Sequence, residues 1–192
     1  MRSKDVISAV FSVLVLPLVL IFKLLSIFCD TNNVFAAHAQ FLSLFPGKVG
    51  SYLRNSFFRM TMTRCDPEVV ISFATLFSQM DTEIGSGTYI GPQCNIGSCH
   101  IGKDCLLGSG VHILSGKNQH AISDLDVPIR DQGGKITKIN IGDDCWIGNG
   151  AVVMADIGSK TVVAAGSVVV NPVGDKVIVA GNPAVVIKER TA

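Results

Sequence analysis

From residue 84 onward the apolar positions of this chain fall on a six-residue beat. Ile84, Ile90 and Ile96 are evenly spaced, and Ile141 and Ile147 resume the spacing further on; each is followed directly by a glycine. A small residue stands four places after the aliphatic one, as Thr88, Cys94, Cys105, Cys145, Ala151 and Thr161. Neither a helix nor an ordinary strand repeats in this way, so the pattern is an internal repeat. A hexad suits a solenoid in which six residues make one short strand and one turn, and three hexads close a triangular coil. The aliphatic side chain points inward, the small residue fills the narrow interior, and glycine permits the tight corner. One coil buries little, so the stack is the folding unit.

The beat organises the rest of the chain. Val69 to Phe77 reads as a first, irregular coil, and regular coils run from Ile84 to Leu114 with a step one residue short between Ile96 and Ile101. Residues 116–138 break the period with Lys117, Asn118, Asp124, Asp126, Arg130, Asp131 and Gly133-Gly134. A polar loop of this length inside a solenoid is usually functional. Coils resume at Ile139 and continue to Val170, with another short step near Val153 to Asp156. A turn at Gly181-Asn182-Pro183-Ala184 then precedes a short basic end. The expected division is a helical front over 1–64 and a β-helix over 65–192 with the inserted loop 116–138.

The front is different in kind. Val6 to Phe28 is apolar, interrupted by Pro17 and Lys23, and is borderline long enough to span a bilayer as a helix. A cleavable signal peptide, a single span and a shallow insertion bent at Pro17 compete; Ala37-His38-Ala39 lies too far beyond the apolar run to serve well as a cleavage site. Arg2 and Lys4 before the run, and Lys48, Arg54, Arg59 and Arg64 after it, place both flanks on the cytoplasmic side. A proline bend would let the segment enter and leave on that side, which makes a one-leaflet insertion the rival of a single span. Gly50 to Arg64 mixes Tyr52, Leu53, Phe57, Phe58 and Met60 with arginines, the composition of a basic amphipathic helix at headgroup level. Its apolar face could equally cover the open end of the solenoid.

Charge and cysteine content sharpen this picture. Residues 1–64 hold seven Lys/Arg against two acids, whereas 65–192 hold nine against thirteen. A basic apolar front on a mildly acidic domain points to an anionic membrane surface, and no basic stripe with aromatics in the repeats supports nucleic-acid binding. The six cysteines contain no Cys-x-x-Cys pair. Three occupy the small inward position, where a reduced thiol acts as a small hydrophobe, so no metal site is expected.

Four stretches narrow the assignment: Leu114 to His120, Pro128-Ile129-Arg130-Asp131-Gln132-Gly133-Gly134, Ile141 to Val152, and Val179 to Ala184. Together they resemble hexapeptide-repeat acyltransferases of the xenobiotic and polysaccharide O-acetyltransferase type, over roughly residues 65 to 190. The resemblance implies a left-handed parallel β-helix, acetyl-CoA as co-substrate, and a homotrimer with active sites between subunits. His120 takes the place of that family's general base, a task suited to imidazole. His112 either lines the same cleft or is an ordinary surface residue. The family asparagine before the histidine has its nearest counterpart at Gly110, a departure that Asn118 or loop amides would have to make good. Asp124 or Asp126, or a loop carbonyl, would orient the imidazole.

The pantetheine arm of similar enzymes lies along coils resembling Ile147 to Ala151 and Ala164 to Ser167, which brings in Gly148, Asn149, Ala165 and Gly166. Trp146 matches the tryptophan lining that channel, and Lys188 and Arg190 match basic residues near the nucleotide phosphates. His100 is expected to be structural, and His38 has no assigned role. The expected acceptor is a saccharide, lipid-linked, at the cytoplasmic face of the inner membrane. A soluble serine- or antibiotic-type acceptor and a non-catalytic assembly scaffold are the rival readings. The zinc carbonic anhydrase of the same fold fails on the spacing of His100, His112 and His120.

Overall fold

The computed structural model describes residues 3–191. Three helices, α1 (Ser3–Leu25), α2 (Thr31–Ser43) and α3 (Gly47–Thr61), precede a parallel β-solenoid of about six turns. Each turn contributes one short strand to each of three faces. The first face stacks Arg64–Cys65, Glu83–Ile84, Cys99–Ile101 and Ile139–Ile141, and continues through single bridges at Ile157 and Val173. The second stacks Val70–Ile71, Tyr89–Ile90, Leu106–Leu107, Trp146–Ile147, Val162–Val163 and Val177–Gly181. The third stacks Leu76–Phe77, Asn95–Ile96, His112–Ile113, Val152–Val153 and Val168–Val169.

The hexad aliphatics form the core: Ile84, Ile90, Ile96, Ile101, Leu107, Ile141, Ile147 and Val153 are completely buried. The small inward residues are buried too, and most do more than fill space. Thr88 Oγ1 donates to the Gly102 carbonyl at 2.8 Å, and the thiols of Cys94, Cys105 and Cys145 donate to the carbonyls of Gly108, Gly142 and Gly158, each at 3.1 Å. Each coil is therefore pinned to the next by a side-chain bond at its corner. The cysteines are all free, five of them buried, and burial pushes the Cys65 thiol up to about 12 and those of Cys94 and Cys99 upward as well. Such thiols stay protonated and inert.

The glycines have a different reason from the expected one. The left-handed backbone of each corner falls two residues later, at Gly87, Gln93, Asp104, Gly110, Asp144, Gly150 and Lys160 among others. The glycine beside the aliphatic residue instead allows coils to touch: a Cβ on Gly85 would lie 2.8 Å from the backbone of Gly102, and one on Gly91 2.7 Å from that of Gly108. Gly174, in the last coil, would meet nothing. Close approach between layers, and not turn conformation, keeps glycine at this position.

The helices close the open end of the stack. Phe58 packs on Phe77 of the first coil with centroids 4.8 Å apart, and Phe35 packs behind it. Edge groups of the first coil are satisfied from α2 and α3: Ala74 N–H by the Ser43 carbonyl, Met80 N–H by Asn32, and the carbonyls of Asp66 and Val69 by Asn55. Arg54, expected at headgroup level, is fully buried here. Its Nε donates to the Ile71 carbonyl at 3.1 Å and its Nη1 to the Leu42 and Phe45 carbonyls at 3.0 and 2.8 Å. The guanidinium thus ties the end of α2 to the exposed edge of the solenoid.

Helix α1 runs unbroken through Pro17. Val15, Val19 and Phe22 are buried, with the Phe22 ring against Phe35 of α2 and Phe57 of α3, whereas Val13, Leu20 and Leu24 on other sides are more than half exposed. His38 bonds the Val34 carbonyl and stacks on Phe57, a packing role. Val6–Leu25 is long and apolar enough to cross a membrane by length and composition.

Candidate active site

The polar loop leaves the solenoid after His112–Ile113 and returns at Ile139–Ile141, so it stands at the corner between the third and first faces. A short clasp forms its stem: Lys135 N–H donates to the Asn118 carbonyl at 2.8 Å and Ala121 N–H to the Gly133 carbonyl at 3.0 Å. A Cβ on Gly134 would overlap the Gln119 carbonyl and crowd His120 Cα. This glycine therefore sets how closely the returning segment supports the histidine. Gln132, a residue with no role assigned from the sequence, holds the loop tip: its side chain bonds the Asp124 amide and the carbonyls of Asp124 and Val127. The return is anchored by Lys138, which bonds Glu83 Oε1 and the Asp81 carbonyl, both at 2.6 Å. That hydrogen bond holds the Glu83 carboxyl below the usual glutamate range.

His120 and Asn118 are exposed on this framed loop. The Asp124 carboxylate accepts from the Asp126 amide at 2.9 Å. Among the described residues no hydrogen bond joins Asp124 or Asp126 to His120, so in a single chain neither orients the imidazole. His112 faces outward from the third face, in register with Asn95 one coil earlier. In-register neighbours on parallel strands lie about 4.8 Å apart, which makes Asn95 a polar partner on that face. The two-residue side-chain alternation of the hexad frame carried this pairing in the sequence, once the short step between Ile96 and Ile101 is placed. His100 sits between Glu83 and Asn140 on the first face.

The other predicted group gathers on the second face. Trp146 is 56% exposed and lies beside Leu106 and Val162 in adjacent strands. With Asp104, Asp144 and Arg190 these residues line a cavity of about 260 Å³. Arg190 reaches it because residues 184–189 do not trail away as a loose end. They form an antiparallel strand on Val177–Gly181, placing Lys188 opposite Ile178. Arg190 Nη1 then bonds the Lys160 carbonyl at 3.0 Å and lies 3.4 Å from Asp144 Oδ2. The apolar run Val185 to Ile187 before the basic residues was the signal for that strand.

Gly148 is buried, and a Cβ there would overlap the Ala165 amide of the next coil. Asn149 uses its side chain within the stack, its Oδ1 accepting from the Ser109 amide at 3.1 Å. Ala165 and Gly166 are exposed at the following corner. The loop bearing His120 contributes nothing to the Trp146 cavity. The two predicted groups of residues thus stand apart in one chain, the Trp146 group on the second face and His120 on the loop between the third and first faces.

Residues 81–115 match the family model described as bacterial transferase hexapeptide (six repeats). The chain has the hexapeptide-repeat transferase fold. Among solved structures it is similar to a hexapeptide-repeat-containing acetyltransferase from Vibrio cholerae, with 22% identity, 86% of this chain and 96% of that one covered, and a TM-score of 0.69. A maltose O-acetyltransferase from Clostridium difficile has 18% identity over 85% of this chain and 90% of its own, also at 0.69. A galactoside acetyltransferase in complex with coenzyme A has 21% identity over 85% and 84%, at 0.62. The Vibrio cholerae enzyme is also known in complex with acetyl coenzyme A. No curated protein matches the sequence.

Proposed function

We propose that this protein is an acetyl-CoA-dependent O-acetyltransferase acting on a sugar. The observation that carries the reading is His120, exposed on the one long polar loop of an otherwise regular stack and held there by the Gly133-Gly134 return. His120 takes the proton of an acceptor hydroxyl as its oxygen attacks the thioester carbonyl. The carbon–sulfur bond then breaks, and the proton passes to the departing thiolate, leaving an acetyl ester and free CoA. Asn118 and loop amides supply donors to the developing oxyanion, and His112 with Asn95 lines the acceptor side.

The donor extends along the second face past Trp146, Gly148, Asn149, Ala165 and Gly166, with Lys188 and Arg190 toward its phosphates. Because the two groups of residues stand apart in one chain, a homotrimer that sets His120 of one subunit against the second face of its neighbour completes the site. The structural relatives crystallised with acetyl coenzyme A or coenzyme A support the donor assignment. The acceptor is a lipid-linked saccharide of cell-surface polysaccharide assembly, reached from the cytoplasmic face of the inner membrane. The exposed apolar side of α1 supports that placement.

CoA release from acetyl-CoA in the presence of saccharide and membrane-lipid fractions tests the reading. His120→Ala should lower the rate by roughly a hundredfold or more with acetyl-CoA binding intact. Equal rates in the two proteins, or failure of the native protein to bind acetyl-CoA, would refute it.

A further inference from the structure

A cavity of about 1500 Å³, with no lining residue from the His120 loop, lies between α1, α3 and the first coils on the second face. The chemistry of its walls is sorted by position. From α1 it takes Ser8, Ala9 and Ser12, the small residues of a helix whose other sides carry exposed Val10, Val13 and Leu14. From α3 it takes Tyr52 and Arg59, the arginine donating to Ser8 Oγ at 2.9 Å and forming no ion pair among the described residues. From the coils it takes Val70, Phe73 and Tyr89. Glu68 also lines the coil wall, where its carboxylate accepts from Ser86.

The cavity does not end at the helices. Val70 and Tyr89 begin an in-register row of exposed apolar side chains that continues through Leu106 to Trp146. Tyr89 is two strands from Trp146, about 10 Å at the usual spacing. A helix with an exposed apolar side, a cation bonded to the Ser8 hydroxyl, and an apolar track with Tyr89 in it leading to the Trp146 cavity thus follow one another in space. Aromatic rings of this kind offer flat apolar faces with polar edges, suited to sugar rings.

We infer that this groove binds the lipid phosphate of a glycosylated lipid acceptor. Arg59 and Ser8 take the phosphate, the hydrocarbon chain runs beside α1, and the saccharide lies along Tyr89 and Leu106 toward Trp146. The inference rests on the acetyltransferase reading for the role of the saccharide, while the phosphate site stands on its own geometry. Lys48 also borders the cavity, but eleven residues of helix separate it from Arg59, about 16 Å. The phosphate seat is the Arg59–Ser8 pair, and Lys48 stands at the opposite end of α3.

The test uses the full chain in neutral detergent with a diazirine-bearing polyprenyl phosphate as the probe. Photolabelling should map to residues 8–12 and 67–73. Arg59→Gln should raise the half-saturating probe concentration at least tenfold, and Ser12→Phe, which fills the groove, should do the same with the thermal midpoint of the solenoid unchanged. Lys48→Gln should alter it less than threefold. Unlabelled polyprenyl phosphate should compete, whereas inorganic phosphate and phosphatidylglycerol should not. Labelling elsewhere, equal effects of the two charge removals, or equal competition by phosphatidylglycerol would overturn the inference. Acetyl transfer by the Arg59→Gln protein to a water-soluble sugar should persist. Loss of lipid binding is thereby separable from failure of the His120 chemistry, which is read with the soluble sugar alone.

Discussion

Removing the guanidinium of Arg54 should loosen the end of the solenoid while sparing its middle. Arg54 makes three bonds to carbonyls, of which Ile71 belongs to the otherwise unpaired edge of the first coil. Bonds from a charged donor contribute roughly 1.5–3 kcal/mol each. Against this stand two costs. Burial lowers the Arg54 pKa from 12.5 to about 10, a penalty of at most about 3 kcal/mol. Its Nη2 is also buried without a partner, worth about 1–3 kcal/mol. At mid-range the balance favours the native contact by about 2 kcal/mol. Arg54→Met, which keeps the apolar stem, should therefore lower the thermal midpoint by roughly 4–8 °C.

Hydrogen exchange should localise the damage, with amides of residues 63–80 exchanging faster and those of 139–170 unchanged. The folded pKa lies below the unfolded one, so the burial penalty is present at all pH below about 10 and fades only above it. The difference between the two proteins should consequently be flat between about pH 5 and 9. A midpoint equal to or above that of the native protein, with unchanged exchange in 63–80, would show that desolvation outweighs the three bonds and would refute the capping argument.

Other expectations follow from the same geometry. Gly134→Ala should push the Gln119 carbonyl and His120 away from the returning segment and lower kcat for CoA release by at least about tenfold, with little change in thermal midpoint because the loop is outside the core. Trp146→Ala should raise KM for acetyl-CoA while altering stability by less than about 0.5 kcal/mol, since the ring is exposed; an unchanged KM would remove Trp146 from the donor site. Lys138→Met should cost about 0.2–1 kcal/mol near neutrality. Because Glu83 is held below its ordinary pKa, that contribution is present above the ordinary glutamate range and is lost as pH falls through the lowered value, so native and variant midpoints should converge in acid.

Much of the scaffold was legible because its rule is local. The hexad identifies which side chain of each strand points inward, and Ile84 through Val153 obey it. The polar loop announced itself by breaking the beat. The cap was less legible, since an arginine in an amphipathic helix reads as a surface charge, and only the edge carbonyl of Ile71, seventeen residues away in the chain, explains its burial. The hexad glycines were misread for a related reason: the backbone they make room for belongs to the next coil and leaves no mark in the turn itself. The candidate site was legible as a set of residues and not as a place. Trp146 and Arg190 come together only because residues 184–189 turn back as a strand, and His120 remains on the loop, apart from both.

The thiol of Cys105 reaches across the whole inserted loop to the carbonyl of Gly142, as if residues 116–138 were not there. The strands on either side pair in the same uninterrupted register, Leu106 with Trp146 and His112 with Val152. Scaffold and chemistry are thereby decoupled. The tip of the loop can be shortened, extended or rewritten without disturbing strand register, provided that the anchors of its return, Thr137 N–H on the Ser115 carbonyl and Lys138 on Glu83 and Asp81, are kept. The loop is an appendage on a continuous platform, and the ladder of corner bonds holds that platform together on either side of it.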